Sequence, residues 1–467
     1  MDNTEECRLC NCHTGTHQLL SDGSEYYLCH NCGLIFQKRD QLPHYFEEKE
    51  RYLEHENDLE RQDYMSYLQE STKRIFNFPI SKKSLLDYGC GPVKGLENIW
   101  NKEFEYLASF DAIFHKNTDF KVKTFDVICC IEVIEHFYCP AKSFEHINSL
   151  LGKSSFVFNL IMNGEVGEID IASILISLKI KNESKDEIHG AAKIMREKSM
   201  KIISPNNAID TCGTGGDMSG TLNISTSAAL IAASAGAIVA KHGNRSISSK
   251  SGSADMLEKL GIKISSDKNE LEKSLNNNNF CFLFAQYHHS AMKHVVNIRK
   301  QLGTRTIFNL LGPLTNPAST KKQLLGVFDK KWVRIHCEVL KELGSTHSMI
   351  VHGADGLDEI SLCGPTYISE LKDDKINDYI FDPKQYGYEY ISINDILGKD
   401  ASYNARAFIE LIEAPDNSFQ KIIELNAGAA LYLSGLTKNL KEGFNLARQT
   451  INSKKAKNYF ENLLKNQ

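Results

Sequence analysis

The stretch "DTCGTGGDMSGTLNIST", residues 210–226, sets four glycines among two acids and six hydroxyl side chains. A glycine in ordered structure costs roughly 0.5–1 kcal/mol relative to alanine, so the cluster asks for a reason. A cradle of bare backbone N–H groups for a phosphate or pyrophosphate supplies one; an ordinary strand-to-helix turn is the alternative. A second cluster is "KHGNRSISSKSGSADMLEKLG", residues 241–261. Here Lys241, Arg245 and Lys250 offer cations, and Ser246, Ser248, Ser249, Ser251 and Ser253 offer hydroxyl donors, while Gly243 and Gly252 keep the backbone open. That composition suits a polyanion, against a plain solvated loop. Adjacent Asp358 and Glu359 in "HGADGLDEI" suit Mg²⁺, which takes oxygen ligands, although most such pairs are simply exposed. At the front, "CRLC" and "CHNC" place Cys7, Cys10, Cys29 and Cys32 in two C-x-x-C pairs separated by 18 residues. Two such pairs close a tetrahedral four-thiolate site for structural zinc, leaving Cys12 and His13 as bystanders.

These groups need elements to hold them. Ile209 and Asp210 end a short strand, Thr211 to Gly220 form a loop, and "NISTSAALIAASAGAIVA", residues 223–240, reads as one helix of small residues. Strand, glycine loop and helix together aim N–H groups at an anion. The loop matches neither G-x-x-x-x-G-K-[ST] nor a dinucleotide fingerprint. Nearer the front, "SLLDYGCGP" is a strand that ends in Asp87, Gly89 and Gly91. Asp111 follows 24 residues after Asp87, where an acid could bind ribose hydroxyls. "FDVICCIEVIEHFYCP" supplies another buried strand, with Glu132, Glu135 and His136 at its exit. Residues 47–76, highly charged, predict one or two exposed helices. "NGEVGEIDIASILISLKIKNESKDEIHGAAKIMREKS" predicts a small helical bundle, with a break at Asn163 and Gly164.

The whole chain, 467 residues with 42% hydrophobic and 24% charged residues and a net charge of −5, is that of a multidomain globular protein. The charge balance suggests no nucleic-acid partner. Nothing resembles a secretory signal, and the polar run Met218 to Ala240 reads as a packed helix, not a membrane span. A cytoplasmic location is expected, and with it zinc chemistry rather than disulfides for the cysteines, nine of which precede residue 140.

Residues 5 to 154 resemble class I S-adenosylmethionine-dependent methyltransferases, in particular a group with an N-terminal zinc ribbon. Such a sheet needs about seven strands and this segment supplies about four. The favoured reading is a truncated remnant without activity, with Asp87, Gly89, Gly91 and Asp111 as the S-adenosylmethionine site if one persists. No linker marks the seam that follows, which fits a gene fusion with loss at both edges or a chimeric gene.

From about Phe156 onward the chain closely resembles the anthranilate phosphoribosyltransferases, through "GTGGD" (213–217), "NIST" (223–226), "KHGNRSISSKSGSAD" (241–255), "HHSAMKHVVNIRKQLGTRTIFNLLGPLTNP" (288–317) and "DGLDE" (355–359). The resemblance implies an α/β fold: a small helical domain plus a large α/β phosphoribosyltransferase domain, preceded by the zinc ribbon and the partial Rossmann-like sheet. Domains are expected at 1–39, 40–155, 156–204 and 205–467. It implies that Gly213, Gly216, Asp217, Thr221 and Asn223, Ile224, Ser225 and Thr226 line the site for 5-phosphoribosyl 1-diphosphate. Lys241, His242, Gly243, Asn244, Arg245, Ser246, Ile247, Ser248, Ser249 and Ser253 would close over its phosphates. Ser225, Asp358 and Glu359 are the implied Mg²⁺ contacts, and Gly213, Asn244 and Arg299 the anthranilate contacts. Lys241, Asn244 and Arg299 are the implied catalytic set. Gln286 and Ser290 depart from the family, where many relatives carry proline. A homodimer through the helical domain is implied, with its first helix shortened or replaced here. A pyrimidine-nucleoside phosphorylase of the same architecture is the runner-up; an active zinc-ribbon methyltransferase and a partner-binding module are the readings from other classes.

Overall fold

Short apolar runs bounded by glycine or polar turns become strands throughout the chain. The computed structural model describes residues 5–466 except 11, 13–15, 31, 33, 55–57, 74, 76–83, 117–118, 123, 134–135, 151–154, 218, 246–250 and 415–416. It divides into two compact units, Met1–Ser154 and Ser155–Gln467.

In the first unit, β1 (Thr16–Leu19), β2 (Glu25–Leu28) and β3 (Ile35–Gln37) form an antiparallel meander. Its core is Cys7, Tyr27, Cys29 and Phe36. The charged segment forms two helices, Tyr45–Glu54 and Gln62–Thr72. Beyond them β4 (Ser84–Tyr88) lies between β5 (Tyr106–Phe110) and β6 (Val127–Cys129), all parallel. About four strands were expected here; among the described residues the sheet has three. Between Asp111 and Phe125, Phe120 and Val122 pack against the core of this sheet without forming a strand among the described residues.

The second unit opens with three helices, Ser155–Asn163, Glu168–Lys181 and Lys185–Lys198. Gly164, at φ 77°, makes the first break, and Ser184 with Glu187 forms a capping box on the third helix. The strands are β7 (Ile209–Gly213), β8 (Val239–Gly243), β9 (Phe280–Phe284), β10 (Lys322–Gly326), β11 (His347–Gly353), β12 (Thr366–Lys372) and β13 (Lys375–Phe381). They make one sheet in the order β13-β12-β11-β10-β7-β8-β9. The five strands from β11 to β9 are parallel, and β12 and β13 add an antiparallel edge.

Period-two alternation splits the sheet's side chains between two cores. Leu324, Met349 and Val351 pack with the helices Ile224–Ala235, Ser418–Ser434 and Leu440–Asn452. Their neighbours Leu325 and Ile350 face the opposite way, toward the helix Lys331–Glu342 and the three N-terminal helices. One expectation fails in detail. The small-residue helix does not run to residue 240 but stops at Ala235, because Gly236 takes φ 116° and caps it. The β-branched residues after it continue into β8.

Candidate active site

The chain runs β7, β8, β9 outward on one side of the sheet, then returns to place β10 and β11 on the other side of β7. The carboxyl ends of β7 and β10 therefore flank a topological switch point, where open α/β sheets hold ligands. Both strands end in glycine, and both glycines are needed there. A Cβ on Gly213 would lie 2.4 Å from Asp358 Oδ2, and one on Gly326 would lie 1.5 Å from the Asp358 carbonyl oxygen. The two bare positions let the segment after β11 fold across the strand ends and set its acids over the switch point.

The glycine loop wraps onto those acids. Gly215, at φ 65°, donates its N–H to Asp358 Oδ2 at 2.9 Å. Ser225, in the first turn of the helix Ile224–Ala235, donates its N–H to Glu359 Oε1 at 3.0 Å. The Asn223 side chain leaves the helix uncapped and instead bonds the Ser251 carbonyl at 3.3 Å and Asn404 Nδ2 at 2.8 Å. Thr226 Oγ1 reaches Ser253 Oγ at 3.0 Å, joining the first cluster to the second. Thr221 pairs with Leu397 in an isolated bridge.

Lys241, 1% exposed on β8, sends its ammonium to the Thr211 carbonyl and to Ser225 Oγ at 3.3 Å. Behind it Asp210, fully buried, accepts from the His242 N–H at 3.0 Å and from Gln323 Nε2 at 3.3 Å. Burial lowers the Lys241 pKa, opposed by Asp210, Cys212, Glu359 and Asp358. The carboxyls answer in the other direction. Asp358 is pushed up to about 7 by burial and by Asp217, and Glu359 is raised well above its ordinary value by burial and by Asp358. Buried Asp210 and half-buried Asp358 and Glu359 thus face one buried ammonium. That imbalance, built from hard oxygen donors, is what a bound Mg²⁺ would relieve.

Other members of the predicted set are placed less directly. His242 shares a 3.3 Å contact with His289 Nε2 and is kept neutral by burial. Asn244 Oδ1 accepts from the Arg245 N–H at 2.8 Å and from Gln286 Nε2 at 3.4 Å. Arg245 is exposed and ion-paired to Asp255 at 2.9 Å and Glu258 at 2.7 Å. Ser246, Ile247, Ser248 and Ser249 lie outside the described residues. Arg299 stands on the helix Val296–Leu302 over the Phe308 ring, 5.5 Å from its centroid. Among the described residues no hydrogen bond or ion pair joins it to the glycine loop. Residue types alone did not single out Asp210, Thr214, Gln323 or Arg305, which pin the loop and its neighbours. An acid set in an apolar strand was the one available signal, for Asp210, which lies at the start of β7 and does not end it as the sequence suggested.

The other unit holds two groups. The four sulfurs of Cys7, Cys10, Cys29 and Cys32 lie within 4.8 Å of one another, with Cys7–Cys32 at 3.6 Å and Cys10–Cys29 at 3.4 Å. Thiolates around a tetrahedral zinc at 2.3 Å stand about 3.8 Å apart, so the set fits that ion. At the end of β4, Gly89 and Gly91 take φ 84° and 67°. Asp87 is pushed up to about 7 by burial. Asp111 Oδ2 accepts the Gly91 N–H at 3.0 Å, and its Oδ1 accepts those of Ile113 and Phe114 at 2.7 and 2.9 Å. Val133 packs so close to Gly89 that a Cβ there would lie 2.2 Å from Val133 Cγ2.

Residues 205–457 match the family profile "Glycosyl transferase family, a/b domain", more than half of the chain, and residues 153–199 match "Glycosyl transferase family, helical bundle domain". Anthranilate phosphoribosyltransferase from Thermoanaerobacter sp. is 48% identical over 64% of this chain and 88% of its own length. The chain belongs to the anthranilate phosphoribosyltransferase family. The Marinomonas enzyme of that name is 47% identical over 66% of this chain and 89% of its own. Among solved structures, that of the family member from Thermus thermophilus aligns with a TM-score of 0.63 at 37% identity, covering 67% of this chain and 93% of that one. The Saccharomyces cerevisiae family member in complex with PRPP and Mg aligns with a TM-score of 0.62 at 28% identity, covering 68% and 94%. Residues 59–174 match the profile "Methyltransferase domain".

Proposed function

We propose that the second unit transfers the phosphoribosyl group of 5-phosphoribosyl 1-diphosphate to the amine of anthranilate, giving N-(5-phosphoribosyl)anthranilate and diphosphate, a pentosyl transfer of tryptophan biosynthesis. The observation that carries this reading is the convergence at one switch point of the glycine loop, buried Lys241 and the Asp358–Glu359 pair. The relatives' names supply the substrates.

Gly213, Gly216, Asp217, Thr221 and the helix start Asn223 to Thr226 line the donor's phosphates, with Lys241 to Ser249 and Ser253 closing over them. Ser225, Asp358 and Glu359 hold Mg²⁺, which when bound offsets the charge of the diphosphate. Gly213, Asn244 and Arg299 receive anthranilate. Burial lowers the Arg299 pKa, yet a guanidinium stays charged and so calls for a carboxylate it can grip with two parallel bonds. The anthranilate amine is neutral at pH 7 and needs no strong base. Its nitrogen forms a bond to ribose C1 while the bond from C1 to the diphosphate oxygen breaks, and the amine then loses a proton. Holding amine and C1 in line supplies the orientational part of catalysis, and fixed N–H groups supply part of the electrostatic remainder. No covalent nucleophile is required. Incubating the full chain with both substrates and Mg²⁺ tests the reading. Fluorescent phosphoribosylanthranilate with stoichiometric diphosphate supports it; its absence, together with phosphate-dependent release of a nucleobase from a pyrimidine nucleoside in a parallel incubation, favours the phosphorylase instead.

The finer assignments follow the same logic. Structural zinc occupies the four-cysteine set of the first unit. That unit is a truncated remnant that carries no methyl transfer, since its parallel sheet has three strands among the described residues where such a fold needs about seven. A second copy of the chain covers the exposed apolar residues Ile169 (84% exposed), Val157 and Ile180 of the N-terminal helices, making a homodimer. A cytoplasmic setting accords with the cysteines, none of which forms a disulfide, and no helix among the described residues is long and apolar enough to cross a membrane.

A further inference from the structure

Arg305 belongs to none of the clusters that point to the phosphate cradle; it stands in "QLGTRTIF", just past the helix Val296–Leu302. Its guanidinium lies over the Phe328 ring, 4.2 Å from the centroid, and its Nη2 donates to the Gly216 carbonyl. A Cβ on Gly216 would lie 3.6 Å from Nε and Nη2, so the guanidinium packs directly against this bare backbone. The aromatic platform is tied to the same loop. The Phe328 N–H donates to Thr214 Oγ1 at 3.0 Å, and the Thr214 N–H donates to the Gly326 carbonyl at 2.9 Å. The exit of β10 thus grips the glycine loop directly at Thr214 and, through Arg305, at Gly216.

The peptide between Gly216 and Asp217 is trans, and in a planar trans peptide the C=O and N–H point in opposite directions. With the carbonyl pinned to Arg305, the Asp217 N–H points away from the guanidinium. Among the described residues nothing accepts that N–H, whereas the Gly215 N–H is already bound to Asp358. Glycine at position 216, one of the two residues that flank this peptide, lowers the steric resistance to its rotation. Rotated by half a turn, it would present a carbonyl oxygen to an incoming phosphate instead of a donor. We propose that Arg305 is a positioning residue: by holding the Gly216 carbonyl, it aims the Asp217 N–H at the diphosphate of the sugar donor. The proposal rests on the reading of the glycine loop as the donor site.

Saturation kinetics on the full chain test it, with melting temperatures recorded for Arg305→Met, Arg305→Lys and Phe328→Leu. Losing the bond from a charged donor raises KM for 5-phosphoribosyl 1-diphosphate about tenfold in Arg305→Met. KM for anthranilate and the melting temperature stay close to wild type. Arg305→Lys, which can still donate to the carbonyl, recovers part of the loss, and Phe328→Leu, which removes only the platform, shows a smaller rise. An active wild type with an unchanged donor KM in Arg305→Met overturns the role of Arg305 alone. So does an equal rise in both KM values, or a loss that tracks the melting temperature. A wild type that neither binds nor turns over the sugar donor overturns the reading of the loop, and the clamp with it.

Discussion

In Ser155–Gln467 a seven-stranded sheet is covered on both faces, and its apolar cores include residues from β7 through β13. In Met1–Ser154 the described strands form two separate three-stranded sheets, and the meander's core is four residues, Cys7, Tyr27, Cys29 and Phe36. Two buried aromatic side chains contribute about 3–6 kcal/mol, while ordering each residue costs about 1–2 kcal/mol. Apolar burial cannot carry so small a core. A zinc ion in such a fold supplies on the order of 10–16 kcal/mol. The contrast extends to the acids. Asp358 and Asp87 each rise to about 7 through burial, and each has a neighbouring acid, Glu359 and Asp111. But Asp358 also has buried Lys241 nearby and accepts the Gly215 N–H, whereas no cation among the described residues acts on Asp87. A strained pKa marks chemistry where the surroundings leave room for a counter-charge, and mere burial where they do not.

The sharpest break of the comparison is Asp358→Asn against Asp87→Asn. On the proposed Mg²⁺ role of Asp358, removing this half-buried carboxylate lowers kcat/KM for phosphoribosylanthranilate formation by about 100-fold or more, whereas Asp87→Asn leaves it within twofold; steady-state fluorescence measures both. Next in size is Arg299→Ala. Bonds from a charged donor are worth about 1.5–3 kcal/mol, so KM for anthranilate rises roughly 10- to 100-fold while KM for the sugar donor holds, and an unchanged anthranilate KM refutes the carboxylate assignment.

A pH series refines the same picture. In the proposed site Mg²⁺ binds the deprotonated acids, and Asp358 holds its proton up to about pH 7. Apparent Mg²⁺ affinity therefore falls as pH drops below 7, by up to about tenfold per unit, and levels off above the folded pKa of the last acid to ionise; Glu359 acts in the same direction. Calorimetric titration with Mg²⁺ between pH 6 and 8 reads the slope (bounds of roughly one unit either side of that pKa). Smallest for turnover is Cys29→Ser. It removes the bound zinc, measured by elemental analysis, and destabilises the first unit while kcat/KM of the second stays within twofold. A parallel fall in catalysis would show that the units depend on each other.

Much of the site was legible because its chemistry is written in contiguous runs. Gly213 to Gly220 and Lys241 to Ser253 announce a phosphate cradle through composition alone, and Asp358 with Glu359 stands beside a strand end. What stayed hidden depends on long-range register. Arg305 carries no spacing signal, and its meaning appears only when the fold brings residues 216, 305 and 328 together. The end of the helix at Ala235 was missed because the small residues 223–240 suit either state, and Gly236 decides between them only through its left-handed backbone. The strand count of residues 5–154 was overestimated because a family likeness implied about four strands, of which three form the parallel sheet among the described residues.

Gly326 has a consequence out of proportion to its size. The vacant volume of one missing methyl is where the Asp358 carbonyl rests, so the acid that distinguishes the two halves owes its location to an atom that is not there. Alanine at this point, remote in sequence and devoid of any chemistry of its own, would evict the carboxylate and impair the enzyme in the manner of a lost ligand.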